Sequence, residues 1–183
     1  EGQFNVNLDA YFGVQKAAKQ LKMLNAQQFG DMLWQAMKND GKTPSHDVYG
    51  NGDQAVVPEY LDKDHKIPSD DVDWVDEILR AAIVQSYNLS FTKADKKSNQ
   101  LGYYDQQGLV KLSDFKRVSG RFNSEYKLFD DHLRIGENIS LSHSWGTSVS
   151  NNAALGGTLY EAYKFQSITP VKNLEDEYAG NVF

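Results

Sequence analysis

Arg117-Val118-Ser119-Gly120-Arg121-Phe122-Asn123-Ser124-Glu125-Tyr126-Lys127-Leu128, followed by Phe129-Asp130-Asp131-His132 and Leu133-Arg134-Ile135-Gly136-Glu137-Asn138-Ile139-Ser140-Leu141-Ser142-His143-Ser144-Trp145, decides the fold. From Arg117 the odd positions Arg117, Ser119, Arg121, Asn123, Glu125 and Lys127 are all polar. The intervening positions carry Val118, Phe122, Tyr126 and Leu128, with small Gly120 and Ser124 between them. After a tight connection the pattern is mirrored. Leu133, Ile135, Ile139, Leu141 and Trp145 alternate with Arg134, Gly136, Asn138, Ser140, Ser142 and Ser144. Period two means strands with one apolar face. Ordinary strands run about 5–6 residues, whereas these alternate for roughly 12 or 13, on the order of 40 Å. Tilted by about 45° they project to roughly 28 Å, matching the ~25 Å apolar band of an outer-membrane barrel with its interfaces. Phe129 and Trp145 near the strand ends suit interfacial aromatic girdles.

Working outward, Gln3 to Phe12 alternates in the same way, with Phe4, Val6, Leu8, Ala10 and Phe12 on one face. A helix follows, with Asn25 as N-cap and Gln28 completing a capping box. Its stripe is Phe29, Met32, Leu33, Ala36 and Met37, and Gly41 is a natural stop. Gly41 to Asp71 reads as a long polar loop containing Pro44, Pro58 and Pro68. A second helix is predicted from about Val72 to Ala82, acidic in its first turn and with Trp74, Ile78 and Ala82 on one face. Tyr87, Leu89 and Phe91 then mark a strand, Ala94 to Ser98 a charged turn, Asn99 to Tyr104 a short strand, and Asp105 to Gly108 a turn or loop.

Composition narrows the function classes. The net charge of −6 and a pI near 5.2 argue against a nucleic-acid partner, since no stretch concentrates Lys and Arg. The chain has no cysteine, which removes disulfides and thiolate metal sites. No apolar run approaches the ~20 residues of a membrane-spanning helix. No secretory signal precedes Glu1, so a signal has been removed or the chain begins within a longer protein. The mean hydropathy of −0.60 does not oppose a barrel, whose alternating strands average to a hydrophilic score.

No catalytic set is nominated, and no cofactor. Asp62, Asp64, Asp70, Asp71 and Asp73 lack the spacing of a calcium loop and read as loop and helix-start acids. His46, His65, His132 and His143 show no metal spacing and read as surface or rim residues. Asn88-Leu89-Ser90 and Asn138-Ile139-Ser140 match a glycosylation sequon inside predicted strands, where chance matches are expected. Tyr103 and Tyr104 read as girdle or packing aromatics rather than a sugar-stacking pair.

Several segments, in order, resemble the SusC/RagA-like TonB-dependent outer-membrane proteins of Bacteroidota. These are Val6-Asn7-Leu8-Asp9-Ala10-Tyr11-Phe12-Gly13-Val14-Gln15, Leu24-Asn25-Ala26-Gln27-Gln28-Phe29, and Asp73-Trp74-Val75-Asp76-Glu77-Ile78-Leu79-Arg80-Ala81-Ala82. Next come Leu101-Gly102-Tyr103-Tyr104-Asp105-Gln106-Gln107-Gly108-Leu109-Val110, then Phe115 with Arg117 and Arg121-Phe122-Asn123, and finally Ile135-Gly136-Glu137-Asn138-Ile139-Ser140. The resemblance implies part of an importer of large nutrients such as oligosaccharides or peptides, of the 22-stranded plugged class. It implies a cell-outer-membrane location, a SusD-like surface lipoprotein as lid, TonB as energy source through regions outside this chain, and contact with outer-membrane lipid. Binding and gated passage, with no bond broken, would be the chemistry.

The expected fold is therefore mainly β: antiparallel strands of a partial transmembrane barrel, with one or two short helices in a long insertion. Residues 1–13 would be the strand leaving the plug, 14–83 a helical and loop insertion, and 84–183 the first antiparallel barrel strands and loops. Too few strands are present to close a barrel. Two features depart from the expected pattern: the strand from Asn99 to Tyr104 is shorter than the ~9–11 residues of a span, and Glu137 falls on the apolar face. A short strand means either that the hairpin ends early or that residues near Gln100–Leu101 are absent; Glu137 is expected near a rim or a neighbouring loop. The alternative class is a soluble β-rich carbohydrate-binding or adhesive surface module.

Overall fold

The computed structural model describes residues 4–93, 97–130, 132–150 and 156–180. They fall into two units: a strand unit from residues 1–18 and 79–149, and a loop-and-helix unit from residues 19–78 and 150–183.

The strand unit is one antiparallel sheet of five strands in chain order. They are β1 (Phe4–Gln15), β2 (Ala82–Lys93), β3 (Lys97–Gln107), β4 (Asp114–Leu128) and β5 (Leu133–Thr147). At 11 to 15 residues, every strand reaches the ~9–11 that a tilted span needs. The register is continuous, with Leu8 opposite Leu89, Leu89 opposite Leu101, Leu101 opposite Gly120, and Gly120 opposite Leu141. The expectation of a short strand ending at Tyr104 is corrected. Asp105 and Gln107 stay in the ladder, opposite Lys116 and Asp114, so the strand runs to its full length with no break at Gln100–Leu101. The predicted charged turn from Ala94 to Ser98 lies mostly outside the described residues, while Lys97 and Ser98 already belong to β3.

Phe129 and Asp130 take positive φ of 53° and 51° in the tight β4–β5 connection, closed by the His132 amide donating to the Phe129 carbonyl at 3.0 Å. The β3–β4 loop is tied differently. Arg80 Nε donates to the Gly108 carbonyl (3.1 Å) and its terminal nitrogen to the Ser113 carbonyl (2.7 Å), while Ser113 Oγ donates to the Val110 carbonyl (2.7 Å). A Cβ at Gly108 would stand 2.0 Å from Ser113 Oγ, so any other residue here would displace that hydroxyl from its bond to Val110.

The loop-and-helix unit has its own core. Helix α1 (Ala26–Asn39) begins with the capping box anticipated at Asn25 and Gln28. Its buried line is Ala26, Gly30 and Trp34 rather than the Met32–Ala36 side of the predicted stripe, since Met32 is 46% exposed. The stretch from Gly41 to Asp71 is irregular but far from a solvated loop: Tyr49 and Ala55 pack with Trp34 and Ile168, and Val48, Val57 and Leu61 lie against them. Trp34 Nε1 donates to the Gly52 carbonyl at 2.9 Å, which satisfies the indole as it enters the core.

Helix α2 spans only Trp74–Ile78, against the expected Val72 to Ala82. Asp73 Oδ1 caps it, accepting from the amides of Val75 and Asp76 at 3.1 Å each. It stops because the sheet claims the next residues: Leu79 bridges Val110, the Arg80 amide donates to Leu109, and Ala82 pairs with Gln15. Beyond β5 the described chain forms helix α3 (Thr158–Lys164) and a segment belonging to the loop-and-helix unit. There the Asp70 and Val72 amides donate to the Ile168 and Ser167 carbonyls, and Trp74 Nε1 to the Gln166 carbonyl.

Candidate functional site: the two faces of the strand wall

Because directly opposed residues share a face, the register sorts every strand. One face carries Phe4, Val6, Leu8, Ala10, Phe12 and Val14 of β1, then Ile83, Tyr87, Leu89 and Phe91 of β2, and Leu101 and Tyr103 of β3. It continues through Val118, Phe122, Tyr126 and Leu128 of β4 to Leu133, Ile135, Ile139, Leu141 and Trp145 of β5. Nothing among the described residues of this unit covers it: Leu8, Phe12 and Leu141 are each 64% exposed. Apolar side chains from all five strands share this face, broken by Asn99 in β3 and Glu137 in β5, and so broad an exposed apolar surface is unusual for a soluble monomer.

At one end this face becomes amphipathic. Tyr87 and Tyr103 stack at 6.4 Å, and His143 stacks on Trp145 at 5.4 Å. The next row is Phe12, Gln85, Asp105, Lys116 and Trp145, polar on its three middle strands, with Asp105 paired to Lys116 at 3.5 Å. Tyr87 and Tyr103 point their hydroxyls that way, donating to Gln85 and Asp105 at 3.0 and 3.1 Å. Aromatic rings mixed with polar groups toward a strand end are also found at membrane interfaces. Glu137 does not sit at the strand end. It lies between Ile135 and Ile139, opposite Ser124, whose Oγ donates to its carboxylate.

The other face is polar over its central rows, with Ala82, Val84 and Phe115 near one end. Its central row is Asp9, Asn88, Gly102, Ser119 and Ser142, one residue from each strand. Flanking rows add Tyr11, Ser86, Tyr104, Arg117 and Ser144 on one side, and Asn7, Ser90, Gln100, Arg121 and Ser140 on the other. The adjacent tyrosines therefore part company: Tyr103 belongs to the apolar face, while Tyr104 lies on the polar face with the Arg117 guanidinium 5.9 Å above its ring. Around the central row the polar face dips into a trough of about 440 Å³. No sequence signal marked this trough, since its residues are distributed over five strands and meet only through the register.

Three of the five acids weighed for calcium have structural work in the loop-and-helix unit. Asp62 accepts from the Lys66 and Ile67 amides at 3.0 and 2.8 Å, Asp71 from the Ala26 amide at 3.0 Å, and Asp73 caps α2. Partial desolvation of Asp62 is outweighed by those amides, which hold its carboxyl below the ordinary value. The hydrogen bond and charge of Glu175, 2.8 Å away, raise Lys66. Burial pushes the Tyr49 phenol up, with Asp71 adding to it. Among the described residues no three His, Asp or Glu converge as metal ligands. His46 packs on Tyr49 and His65 on Tyr60, while both sequon asparagines lie within strands, as anticipated.

No protein-family profile matches the chain. Over 120 residues, 62% of this chain, it is 31% identical to the TonB-dependent receptor SusC of Bacteroides thetaiotaomicron. The chain carries a TonB-dependent-receptor-like region. It spans about 12% of the length of SusC. That relative is a receptor rather than an enzyme.

Proposed function

We propose that this chain forms part of the wall of an outer-membrane, TonB-dependent nutrient importer, with the apolar face turned to lipid and the polar face to the lumen. The observation that carries the reading is the five-strand apolar face, left uncovered, with tyrosines, a tryptophan and the Gln85, Asp105 and Lys116 group toward one end. In water such a face is a docking or aggregation surface; in a bilayer it is the surface a barrel requires. A soluble carbohydrate-binding or adhesive module would have to cover it, and the described strand unit supplies no covering layer.

Loop lengths orient the wall. At one end of the sheet β2 and β3 are joined within three residues and β4 and β5 within four, while the connections 16–81 and 108–113, and the chain after 147, leave from the other. Periplasmic turns are short and extracellular connections long, so the long connections face outward. In this reading residues 1–13 lead from the plug into the wall, residues 14–83 are an outward insertion, and β2 to β5 begin the barrel. The outward connections meet the substrate, an oligosaccharide or peptide, and a SusD-like surface lipoprotein. TonB acts through the plug, and no bond is broken in passage. Single cysteines at Leu8, Phe122 and Leu141, carrying spin labels in full-length protein in bilayers, test the assignment. Accessibility to oxygen but not to a water-soluble nickel complex is expected; the reverse at all three positions overturns it.

A further inference from the structure

We infer that the lumen-face trough binds a carboxylate-bearing oligosaccharide, with Arg121 taking the carboxylate; this rests on the transport reading above. The first observation is charge. The chain as a whole has 19 Lys and Arg against 25 Asp and Glu. On the polar face of the described strands the sign inverts: Arg117, Arg121, Lys127 and Arg134 stand against Asp9 and Glu125. Arg121 and Asp9 are the charged residues lining the trough itself, and the cationic excess of the wider face sets a positive field around it that favours an anionic occupant at Arg121.

The second observation is shape. Gly102 forms the floor of the trough, and a Cβ there would come within 2.7 Å of Ser119 Oγ and 3.0 Å of Asn88 Oδ1. Glycine thus keeps the floor low while two hydrogen-bonding groups converge above it. Ser142 extends the row, and Asp9 closes its far side, held by Asn7 Nδ2 at 2.9 Å. Arg121 borders the trough, is exposed, and has no ion pair or hydrogen bond among the described residues. Arg117, one row beyond the floor, is engaged over Tyr104.

The third is chemistry. A free guanidinium takes a carboxylate through two parallel N–H donors. Serine hydroxyls and an asparagine amide donate to and accept from sugar hydroxyls. The side chains of this face at the trough are polar, so a peptide's apolar side chains would gain nothing there, whereas a sugar ring offers a carboxylate to Arg121 and hydroxyls that donate to Asp9 and pair with the serines and Asn88.

The test uses full-length detergent-purified protein, titrated calorimetrically with trigalacturonic acid and with its neutral counterpart, in which each carboxylate is reduced to an alcohol. The wild type is expected to prefer the acidic trimer, with a preference that shrinks as salt rises. Arg121→Gln is expected to weaken the acidic trimer about tenfold or more and leave the neutral one unchanged, as loss of a charge-assisted bond of about 1.5–3 kcal/mol requires. Arg121→Lys should fall between, since lysine keeps the charge but not the fork. Equal affinity for both trimers, no affinity for the acidic one, or equal weakening of both in Arg121→Gln overturns the inference. So does a lowered melting temperature with unchanged preference, which would assign Arg121 to a contact within the protein. Heat-dependent migration on detergent gels, run on the same samples, reports the folded barrel. Its absence counts against the transport reading, whereas a folded barrel without acid preference overturns this inference alone.

Discussion

In the strand unit Phe12 and Leu141 keep 64% of their surface open, while in the loop-and-helix unit Trp34 and Ile168 keep 3% and 0%. Both units use ordinary apolar residues, yet one gathers them inward and the other spreads them over an outer face. The loop-and-helix unit is built as water-soluble domains are, with a core of Trp34, Tyr49, Ala55 and Ile168 assembled from segments far apart in the chain. The strand unit is a single layer whose backbone pairs in the sheet and whose side chains divide by parity. The difference teaches that burial is defined against a solvent. Under the proposed reading, one chain is stabilised by removing apolar surface from water in one unit and by leaving it in contact with hydrocarbon in the other.

The largest expected effect comes from emptying the core of the loop-and-helix unit. Trp34→Ala should cost about 3–5 kcal/mol there, read as lost hydrogen-exchange protection in residues 26–39 and 49–61, with strand-unit protection unchanged. Concerted loss in both units would break the comparison by showing one cooperative structure. A matched pair of substitutions sharpens it next. Leu141 in β5 and Leu174 in the other unit are equally exposed, at 64%. Leu141→Lys should impair insertion into bilayers by about 2–4 kcal/mol if it lies near mid-membrane, whereas Leu174→Lys, facing water, should stay within about 0.5 kcal/mol. Equal costs, measured by folding titrations into lipid vesicles, would erase the distinction between the two solvents.

Smaller effects probe local devices of the loop-and-helix unit. Asn25→Ala removes the side chain that accepts from the Gln28 amide at 2.8 Å. It should cost about 1 kcal/mol, seen as faster exchange in the first turn of α1. The smallest effect is a pH response at Asp62. Its carboxyl is held below the ordinary 3.8, so its contribution is fully present above that value and is lost as pH falls through the lower one reached in the fold. The Lys66 and Ile67 amides should therefore exchange faster only under strongly acid conditions, and Asp62→Asn should abolish the dependence.

Much of this was legible in the residues. The alternation in β4 and β5 spelled out two faces, and Asn25 with Gln28 announced the start of α1, because both signals are local in sequence. The end of β3 was not legible. Asp105 and Gln107 look like turn residues in isolation, and they stay in the strand because Lys116 and Asp114 receive them at the polar row. Tyr49 was hidden for a similar reason. It stands in a stretch rich in Gly, Asp and Pro, and only its packing against Trp34 and Ala55 makes it core. The polar trough gave no signal, since Gly102 and Ser119 are unremarkable until the register sets them side by side.

What the sequence by itself determined is parity: which side chains of each strand share a face, and hence that one face is apolar and the other polar. Parity follows from the two-residue period of an extended chain and needs no partner. What only the tertiary structure decided is adjacency. Register sets Asp9, Asn88, Gly102, Ser119 and Ser142 in one row, frees Arg121 at its edge, and draws Ile168 from beyond the last strand into the core with Trp34. Those neighbours are separated by tens of residues, and no local propensity encodes their meeting; backbone pairing and apolar burial select it over the whole chain at once.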